Sequence, residues 1–580
     1  MKTQRERTVP AGRGLPAEGF LQHRGLIALA VGGAVGQACL LTVLAPGARP
    51  LAPQVTALPP LAVFHDLRWL FGYNRSGAGF ALAFAGLVLA RAVVSTALIR
   101  LAWPRRLPRP AWGATFGWCI IFTVTASVLL SPVVTLLFGV SLLPFSWPYL
   151  AALPAMLLIA IPLSHGGLSG SWWRTLPPPR AVGWLLASFI VLSAAAAAIG
   201  SLPAAGAVAV AGLAGLANAR AWYGLASAVT RQEVPSHLPW ARAWASVWRH
   251  LPHWPAPVSP LAAATALALI IGLTRLVFAL AGSTPLPGGP AAVPASAALA
   301  ATAAKPAGPA AASLTDAVLV IPGFGSSCCY PSGSRALIGP PALVRPFSYA
   351  GLDARGRPLP YGLDATDLPL PLLGDRIAQQ VARLHEETGR PVDIVAESEG
   401  TLGVYAMLAR HPGLPVRSVV LLSPIVDPGL DGPASPALDG GQDADPVPGE
   451  ALNAMASMAG ALTPFGESGA QQLIDSVRSD GAAFAAAAAR NGQLIRWLAV
   501  IPLADAVTLP VCDLPDNVVV VPALHGSLLG DPAIDRMAHR FLSNEQVAGP
   551  PGMRDTAEVI AAAAAAWRMP SMAPPPHCNG

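Results

Sequence analysis

The stretch Val392-Asp-Ile-Val-Ala-Glu-Ser-Glu-Gly-Thr401 decides the fold of the C-terminal part of the chain. A short β-branched run ends in a turn centred on Ser398, and an alanine- and leucine-rich run from Leu402 to Arg410 follows. The pattern predicts a strand, a sharp turn and a helix. The small residues 396 and 400 would let the turn expose the serine hydroxyl at the helix N-terminus, where negative charge is favoured. The alternative is an ordinary strand-to-helix turn without chemistry.

A second strand with a glycine-bearing loop precedes this turn, in Ala317-Val-Leu-Val-Ile-Pro-Gly-Phe-Gly-Ser326. Between the two lie Arg345-Pro-Phe-Ser-Tyr-Ala-Gly351, which has the pattern of a further strand, and Leu372–Glu387, which has helical spacing. The predicted order is therefore strand, loop, strand, helix, strand, serine, helix. On its own the glycine loop is also compatible with a generic turn of an α/β protein.

In this order and in the serine turn, residues 314–545 resemble the α/β-hydrolase superfamily. The run Phe347-Ser-Tyr349 and the approach Thr388-Gly-Arg-Pro-Val-Asp393 look like bacterial lipases and membrane-associated lipid deacylases. The usual pentapeptide G-x-S-x-G reads A-x-S-x-G here, because Ala396 replaces the first glycine. The resemblance implies a doubly wound, mostly parallel sheet. It also implies that Ser398 is a nucleophile and that the amides of Phe324 and Glu399 form an oxyanion hole.

A serine nucleophile needs a base, and the base needs a carboxylate that orients it, in the chain order serine, acid, histidine. The run Val518-Val-Val-Val-Pro-Ala-Leu-His525 ends a predicted strand in a histidine, and we expect His525 to be the base. Asp505 ends the preceding predicted strand and is the favoured acid, with Asp427 as the alternative. Asp513 and Asp516 have the pattern of turn residues.

Two features near the serine leave its activity open. Glu397 and Glu399 flank it, and a negative charge there would oppose an oxyanion unless it is turned away or paired. Residues 428–491 form either a lid that gates the site or a surface excursion with ordinary helices.

The composition identifies a membrane protein. The chain of 580 residues is 53% hydrophobic and 12% charged, whereas soluble domains carry about 25% charged residues. Residues 1–282 hold 20 basic against 4 acidic residues (+16), and residues 283–580 hold 17 against 27 (−10), which together give the net +6. A basic membrane part and an acidic soluble part account for the charge, so we expect no nucleic-acid partner. No zinc-type cysteine spacing is present, and we expect neither metal nor cofactor.

Seven apolar runs follow a polar, basic N-terminus, and each is near the length of about 20 residues that crosses a bilayer. They are residues 25–46, 77–101, 114–139, 146–165, 181–201, 203–229 and 258–282. We therefore predict an all-α transmembrane bundle of about seven spans, with six or eight as alternatives.

Basic residues are concentrated in the loops after the second, fourth and sixth runs, whereas the short alternate loops at about 140–145 and 202 carry none. The basic residues of these loops are Arg100, Arg105, Arg106, Arg109, Arg174, Arg180, Arg231, Arg242 and Arg249. All fall on the side of the basic N-terminus, which the positive-inside rule assigns to the cytoplasm. Seven spans then put the C-terminal domain outside the cell membrane.

The polar residues near and within the spans have a structural interpretation. The connection 47–76 contains His65 and Asp66, and its aromatic and basic residues indicate an interfacial segment more than a catalytic or metal site. Arg91, Arg220 and Arg275 lie toward span ends, where they can snorkel. No acidic residue falls in a predicted span, which disfavours a proton-coupled transport pathway.

The sequence thus predicts five regions: a cytoplasmic N-terminus (1–24), a transmembrane region (25–282), an Ala/Pro-rich linker (283–313), an α/β-hydrolase domain (314–570) and a tail (571–580). The predicted function is that of a membrane-anchored serine esterase or lipase with a Ser-His-Asp triad. Its predicted partners are the lipid membrane and a lipid or acylated envelope substrate. A catalytically inactive binding domain and a transporter with an accessory domain are the alternatives.

Overall fold

Two parts of the chain have defined secondary structure: an N-terminal helical bundle and a C-terminal parallel sheet. The computed structural model describes residues 20–74, 77–142, 146–231, 257–283, 316–327, 338, 343–424, 495–503, 516–523, 526–564, 566–567 and 570, together with 472–473, 476, 479–480, 483–484, 487–488 and 490. The predicted linker 283–313 therefore lies outside the described residues except for Ser283, as do most of the predicted lid and the tail 571–580.

Eight α-helices of the described residues form the bundle. They are α1 (Arg24–Leu44), α2 (Pro59–Tyr73), α3 (Gly77–Ala102), α4 (Trp112–Leu142), α5 (Ser146–Leu163), α6 (Pro179–Ser201), α7 (Ala204–Arg231) and α8 (Val258–Ser283). All except α2 coincide, within a few residues, with the apolar runs of the sequence.

Five of these helices are long and apolar enough to cross a membrane, namely α1, α3, α4, α6 and α7. The other two predicted spans fall on α5 and α8, whose apolar described parts are shorter, Leu153–Leu163 and Val258–Ile270. The structure thus supports several membrane-capable helices, and the number seven stays a prediction.

The connection between α1 and α3 is a hairpin inside the bundle, which we call the re-entrant hairpin (residues 46–73). Its first limb is a 3₁₀ helix, Pro46–Thr56, and its second limb is α2. Near the start, Arg49 donates to the carbonyl of Leu202 (2.9 Å) at the end of α6. At the far end, Trp222 of α7 donates to the carbonyl of Thr56 (3.0 Å). The limbs have 11 and 15 residues, and each spans about 22 Å at its own rise per residue, so the hairpin enters and leaves at one end of the bundle.

The expectation of an interfacial segment is wrong, because this hairpin pairs its charges inside the bundle. Arg91 of α3 donates twice to the carboxylate of Asp66 on α2, at 2.6 Å each, and once to the carbonyl of Val55 (2.6 Å). His65 is buried as well. Arg91 therefore has an acidic partner that a search of the spans alone does not find, and it does not need to snorkel.

The C-terminal part contains a six-stranded parallel sheet in the order β2-β1-β3-β4-β5-β6. The strands are β1 (Ala317–Ile321), β2 (Val344–Pro346), β3 (Val392–Glu397), β4 (Val416–Leu422), β5 (Arg496–Pro502) and β6 (Val518–Val521). Their central residues are buried on both faces, as a parallel sheet between helices requires.

Four continuous helices of the described residues cover the sheet: α9 (Leu370–Thr388), α10 (Glu399–Arg410), α11 (Pro532–Leu542) and α12 (Met553–Ala564). Helices α9 and α10 pack over the face that carries Ile321, Ile394 and Leu421, and α11 covers the opposite face. Helix α12 packs on β5 and β6 through Ala557. Beyond its end the chain enters the core of the bundle.

Candidate active site

The predicted serine turn is present and strained. Ser398 lies between β3 and α10 with φ 52° and ψ −119°, a backbone conformation that a non-glycine residue adopts only under constraint. The constraint comes from both sides: the Ser398 amide donates to the carbonyl of Leu422 (2.9 Å), and its carbonyl accepts from the amide and hydroxyl of Thr401 (2.9 and 2.6 Å). A β-carbon on Gly400 would lie 2.8 Å from Ile321, so the second glycine of the pentapeptide is sterically required.

The absence of the first glycine does not prevent this turn. Ala396 is fully buried in β3, where it is paired with Ile321 and Leu421 in the regular register of the sheet. The Ala396 methyl group is therefore accommodated within the core, and the residue with the strained backbone is Ser398.

The loop after β1 lies directly against the serine. A β-carbon on Gly323 would be 2.9 Å from Cβ and 3.5 Å from Oγ of Ser398. The next glycine, Gly325, has φ 73°, and its amide donates to the hydroxyl of Thr366 (3.0 Å). Phe324, between them, packs on the core. The structure thus brings the residue predicted to supply one oxyanion amide beside the predicted nucleophile.

The carboxylate of Glu397 contacts a neighbouring loop of the sheet domain. One carboxylate oxygen, Oε1, accepts hydrogen bonds from the amides of Leu528 (2.9 Å) and Leu529 (3.2 Å). These amides belong to the loop that begins at Gly526, directly after His525 in the chain. Glu397 is 6% exposed, so its charge is stabilised by these donors and not by bulk water. The carboxylate ties the strand end that carries the nucleophile to the loop that follows the predicted base.

Glu399 is fully buried, and its hydrogen bonds fit a neutral carboxyl group. The Tyr349 hydroxyl lies 2.7 Å from the carbonyl of Pro322 and 3.2 Å from Oε2 of Glu399. The phenol carries one hydrogen, and if the shorter contact takes it, the longer one needs a proton on Glu399. Oε1 of Glu399 has no hydrogen-bond partner among the described residues, which a buried carboxylate would tolerate poorly.

Electrostatics agree with this protonation state. Burial raises the pKa of Glu399 well above its ordinary value, and the nearby charge of Asp367 raises it further, while Tyr349 opposes the shift. The pKa of Tyr349 is also raised, by burial and then by Glu399. Burial therefore favours the neutral form of the residue after the serine, whose amide lies at the N-terminus of α10.

The serine lies where the strand order reverses, which is the usual ligand position of open α/β sheets. β1 has β2 on one side and β3 on the other, so the loops after β1 and β3 diverge at the carboxyl edge of the sheet. The structure brings three predicted site residues to this edge: Phe324, Ser398 and Glu399.

The other predicted site residues lie outside the described part of the chain: His525, Asp505 and the alternative acid Asp427. Their neighbours in sequence are described. Leu503 follows β5, and Ala523 follows β6, so the chain leaves both strands at the carboxyl edge that carries Ser398. The triad geometry stays a prediction.

A histidine and an aspartate do meet elsewhere in the sheet domain. His411 Nε2 lies 2.8 Å from Asp375. His411 follows the last residue of α10, whereas Ser398 precedes the first, and a helix of 12 residues separates the two by about 18 Å. This pair therefore cannot activate the serine.

Sequence reasoning missed three side chains that shape this site: Tyr349, Thr366 and Gln380. The Tyr349 hydroxyl forms hydrogen bonds with Glu399 and with the carbonyl of Pro322. The Thr366 hydroxyl accepts from the amide of Gly325. The Gln380 side chain accepts from the amide of Ser348 (2.9 Å) and donates to its carbonyl (2.8 Å). The sequence pattern predicted a strand for the segment that contains Tyr349. Nothing in the residue pattern indicates which loop its hydroxyl would meet.

Together, fold and site define a protein with membrane-capable helices at the N-terminus and a parallel, helix-covered sheet at the C-terminus that presents a strained serine. Comparison of the chain with protein-family models, with curated proteins and with solved structures finds no match. Functional assignment therefore rests on the residues themselves.

Proposed function

We propose that the protein is a membrane-anchored serine hydrolase of the α/β-hydrolase type that cleaves carboxylic esters. The observation that carries this proposal is the strained backbone of Ser398 packed against Gly323. Strain of this kind is retained where it has a use. A serine at the end of a central strand, followed by a helix and faced by a glycine loop, is the arrangement of a nucleophile elbow.

In the proposed mechanism, Ser398 Oγ attacks the ester carbonyl while His525 takes its proton, and Asp505 orients the imidazole. The tetrahedral oxyanion accepts hydrogen bonds from the amides of Phe324 and Glu399. His525 then returns the proton to the leaving alkoxide, and an acyl-enzyme remains. Water, deprotonated by His525, attacks the acyl carbonyl, the bond to Oγ breaks, and Oγ regains the proton.

The glutamates that flank the serine support this proposal. Glu397 directs its carboxylate to two amides of a neighbouring loop, and Glu399 is buried against Tyr349 in an environment that favours its neutral form. The sequence objection was a repulsion between these side chains and an oxyanion. Two amides stabilise the charge of Glu397, and burial favours the neutral form of Glu399, so the expected repulsion is reduced.

The favoured topology has seven spans, a cytoplasmic N-terminus and an extracytoplasmic sheet domain. Contacts at one end of the bundle are consistent with it. His23, before α1, meets the carbonyl of Leu101 near the end of α3 (2.8 Å), so the two helices are antiparallel. At the opposite end, Tyr73 donates to the carbonyl of Pro570 (2.9 Å), which follows the sheet domain. A lipid or acylated envelope component is then a suitable substrate.

A fluorophosphonate probe tests the proposed activity, since it labels only an activated serine. We expect labelling of the detergent-solubilised wild type and none of Ser398→Ala. Ser423→Ala is the matched control, because Ser423 also has a positive φ (48°) at the end of the adjacent strand β4 and is not the proposed nucleophile. A folded wild type that is not labelled would instead favour a hydrolase-like binding domain.

A further inference from the structure

The last described residues of the chain are part of the bundle core. Trp567 is 1% exposed and stacks on Phe189 of α6, with ring centroids 4.5 Å apart and an interplanar angle of 17°. Its indole N–H donates to the hydroxyl of Ser193 (2.8 Å), and the ring of Phe64 on α2 lies 6.3 Å away. Ser193 and Phe189 lie about two and three turns inside the end of α6. The indole therefore sits deep in the bundle.

Polar side chains of the re-entrant hairpin bind Ala566, the residue before Trp567. The carbonyl of Ala566 accepts from Gln54 (2.5 Å) and from Arg68 (3.0 Å), both fully buried. This carbonyl lies just beyond α12, at the negative end of the helix dipole, where a guanidinium is favoured. The guanidinium also faces the rings of Phe64 and Trp567, at 5.0 and 6.0 Å. The contact thus combines aromatic packing with two buried hydrogen bonds.

The direction of α12 shows which edge of the sheet is turned to the bundle. Helix α11, which precedes α12, ends at the amino edge, since Arg417, near the start of β4, donates to the carbonyl of Leu542 (2.9 Å). At the start of α12, Arg554 donates to the carbonyl of Val518, the first residue of β6 (3.0 Å). Ala557, one turn later, still packs on β5 and β6, so α12 advances along the strands toward their carboxyl ends.

Helix α12 passes the sheet and ends in the bundle. Its 12 residues span about 18 Å, against about 13 Å for the four residues of β6. The carboxyl edge, which carries Ser398, is therefore the edge that faces the helices. The amino edge, where β1 begins, faces away. The connection from Ser283, at the end of α8, to Asp316, before β1, is long enough to pass from the bundle to the amino edge of the sheet, because its fully extended length is about 110 Å.

We propose that the seat formed by Gln54, Phe64, Arg68, Phe189 and Ser193 holds Trp567 so that the serine site opens toward the bilayer, and that its substrate is an ester lipid drawn from the membrane. This proposal rests on the proposed hydrolase function for its chemistry. An ester whose acyl chains stay in the hydrocarbon exposes less apolar surface to water on its way to the serine. The bundle then presents the enzyme to its substrate as well as anchoring it.

The role of the seat is tested by comparing the hydrolysis of two substrates, a lipid ester and a water-soluble ester, by variants in reconstituted vesicles. Trp567→Ala should lower hydrolysis of a long-chain ester lipid in the same vesicles at least tenfold, while fluorophosphonate labelling of Ser398 and hydrolysis of a water-soluble short-chain ester change less than twofold. Trp567→Phe, which keeps the stacking, should recover most of the lipid activity. Trp112→Ala is the control, since Trp112 is a half-exposed tryptophan of α4. Equal loss for both substrates, or no loss for either, would overturn the proposal.

A second measurement does not depend on activity and separates the orientation from the hydrolase chemistry. Asn517 and Ser527 are exposed residues before and after β6, at the amino and carboxyl edges respectively. A fluorescent amino acid at position 527 should be quenched by doxyl-labelled lipids at least twofold more than one at position 517. Trp567→Ala should reduce that difference. Equal quenching at the two positions in the wild type would overturn the proposed orientation of the sheet, even if Ser398 is active. Unequal quenching without fluorophosphonate labelling would refute only the hydrolase function.

Discussion

Glu397 offers the sharpest test of how the site is held together. Its carboxylate oxygen accepts from the amides of Leu528 and Leu529, in the loop that follows His525. Hydrogen bonds to a charged group contribute about 1.5–3 kcal/mol each, so the pair contributes at least about 3 kcal/mol to this loop conformation. If that free energy keeps the loop in place, its loss lowers the population of the competent loop by about 100-fold. We therefore predict that Glu397→Ala lowers kcat by about 100-fold.

Glu397→Gln should have an intermediate effect, because the amide oxygen can still accept but carries no charge. Neutral hydrogen bonds contribute about 0.5–1.5 kcal/mol each. Two such bonds keep about 2 of the 3 kcal/mol, so the expected loss is about 1 kcal/mol, or about fivefold in kcat. Glu386→Gln removes a carboxylate from an exposed position of α9 and is the control, with no expected change.

The assay is hydrolysis of a soluble ester over a range of concentrations, together with thermal unfolding of each variant. A positioning role predicts a fall in kcat with little change in KM, at temperatures where every variant is folded. The reasoning is refuted if Glu397→Ala keeps the wild-type kcat, or if kcat falls only in proportion to unfolded protein.

Three further predictions concern the site, the bundle and the pH response. Gly323→Val should abolish fluorophosphonate labelling of a folded protein, since its β-carbon meets the nucleophile, whereas Gly413→Val has open space and should label normally. Asp66→Asn should lower the melting temperature in detergent by leaving the Arg91 charge without its carboxylate, a loss of about 3–5 kcal/mol for a buried pair, and replacing both by apolar residues should restore it. Burial raises the pKa of Asp535 to about 6, so the folded state binds the Asp535 proton more tightly than the unfolded state does. The free energy of unfolding therefore rises as the pH falls from 7 through 6. Denaturant titrations at pH 5 and 7 should show a smaller rise in Asp535→Asn than in the wild type.

The sequence predicted the local features of the site well, because they depend on neighbours along the chain. A β-branched run, a serine between small residues and an alanine-rich run lead to β3, the strained turn and α10. The glycine loop after β1 was placed beside the serine by the same order of elements, and a hypothetical β-carbon on Gly323 at 2.9 Å from Ser398 shows how close the approach is.

Features that depend on distant partners could not be read in this way. The charge state of Glu399 depends on a phenol 50 residues away, and the direction of Glu397 on amides 131 residues away. The re-entrant hairpin looked like an interfacial loop because Asp66 and Arg68 are polar residues in an aromatic segment. Their partners, Arg91 on another helix and Ala566 near the end of the chain, lie beyond any local pattern.

The contact between Ala566 and Gln54 joins residues 512 positions apart, and this separation has a consequence for biosynthesis. The helices that form the seat are synthesised long before the tryptophan that fills it. Until then, the buried face of α6 and the guanidinium of Arg68 lack the groups that cover them in the finished protein. Completion of the bundle core therefore waits until the sheet domain has been synthesised, because Ala566 and Trp567 follow that domain in the chain. The core of the bundle is thus complete only in a chain that has been synthesised past the sheet domain.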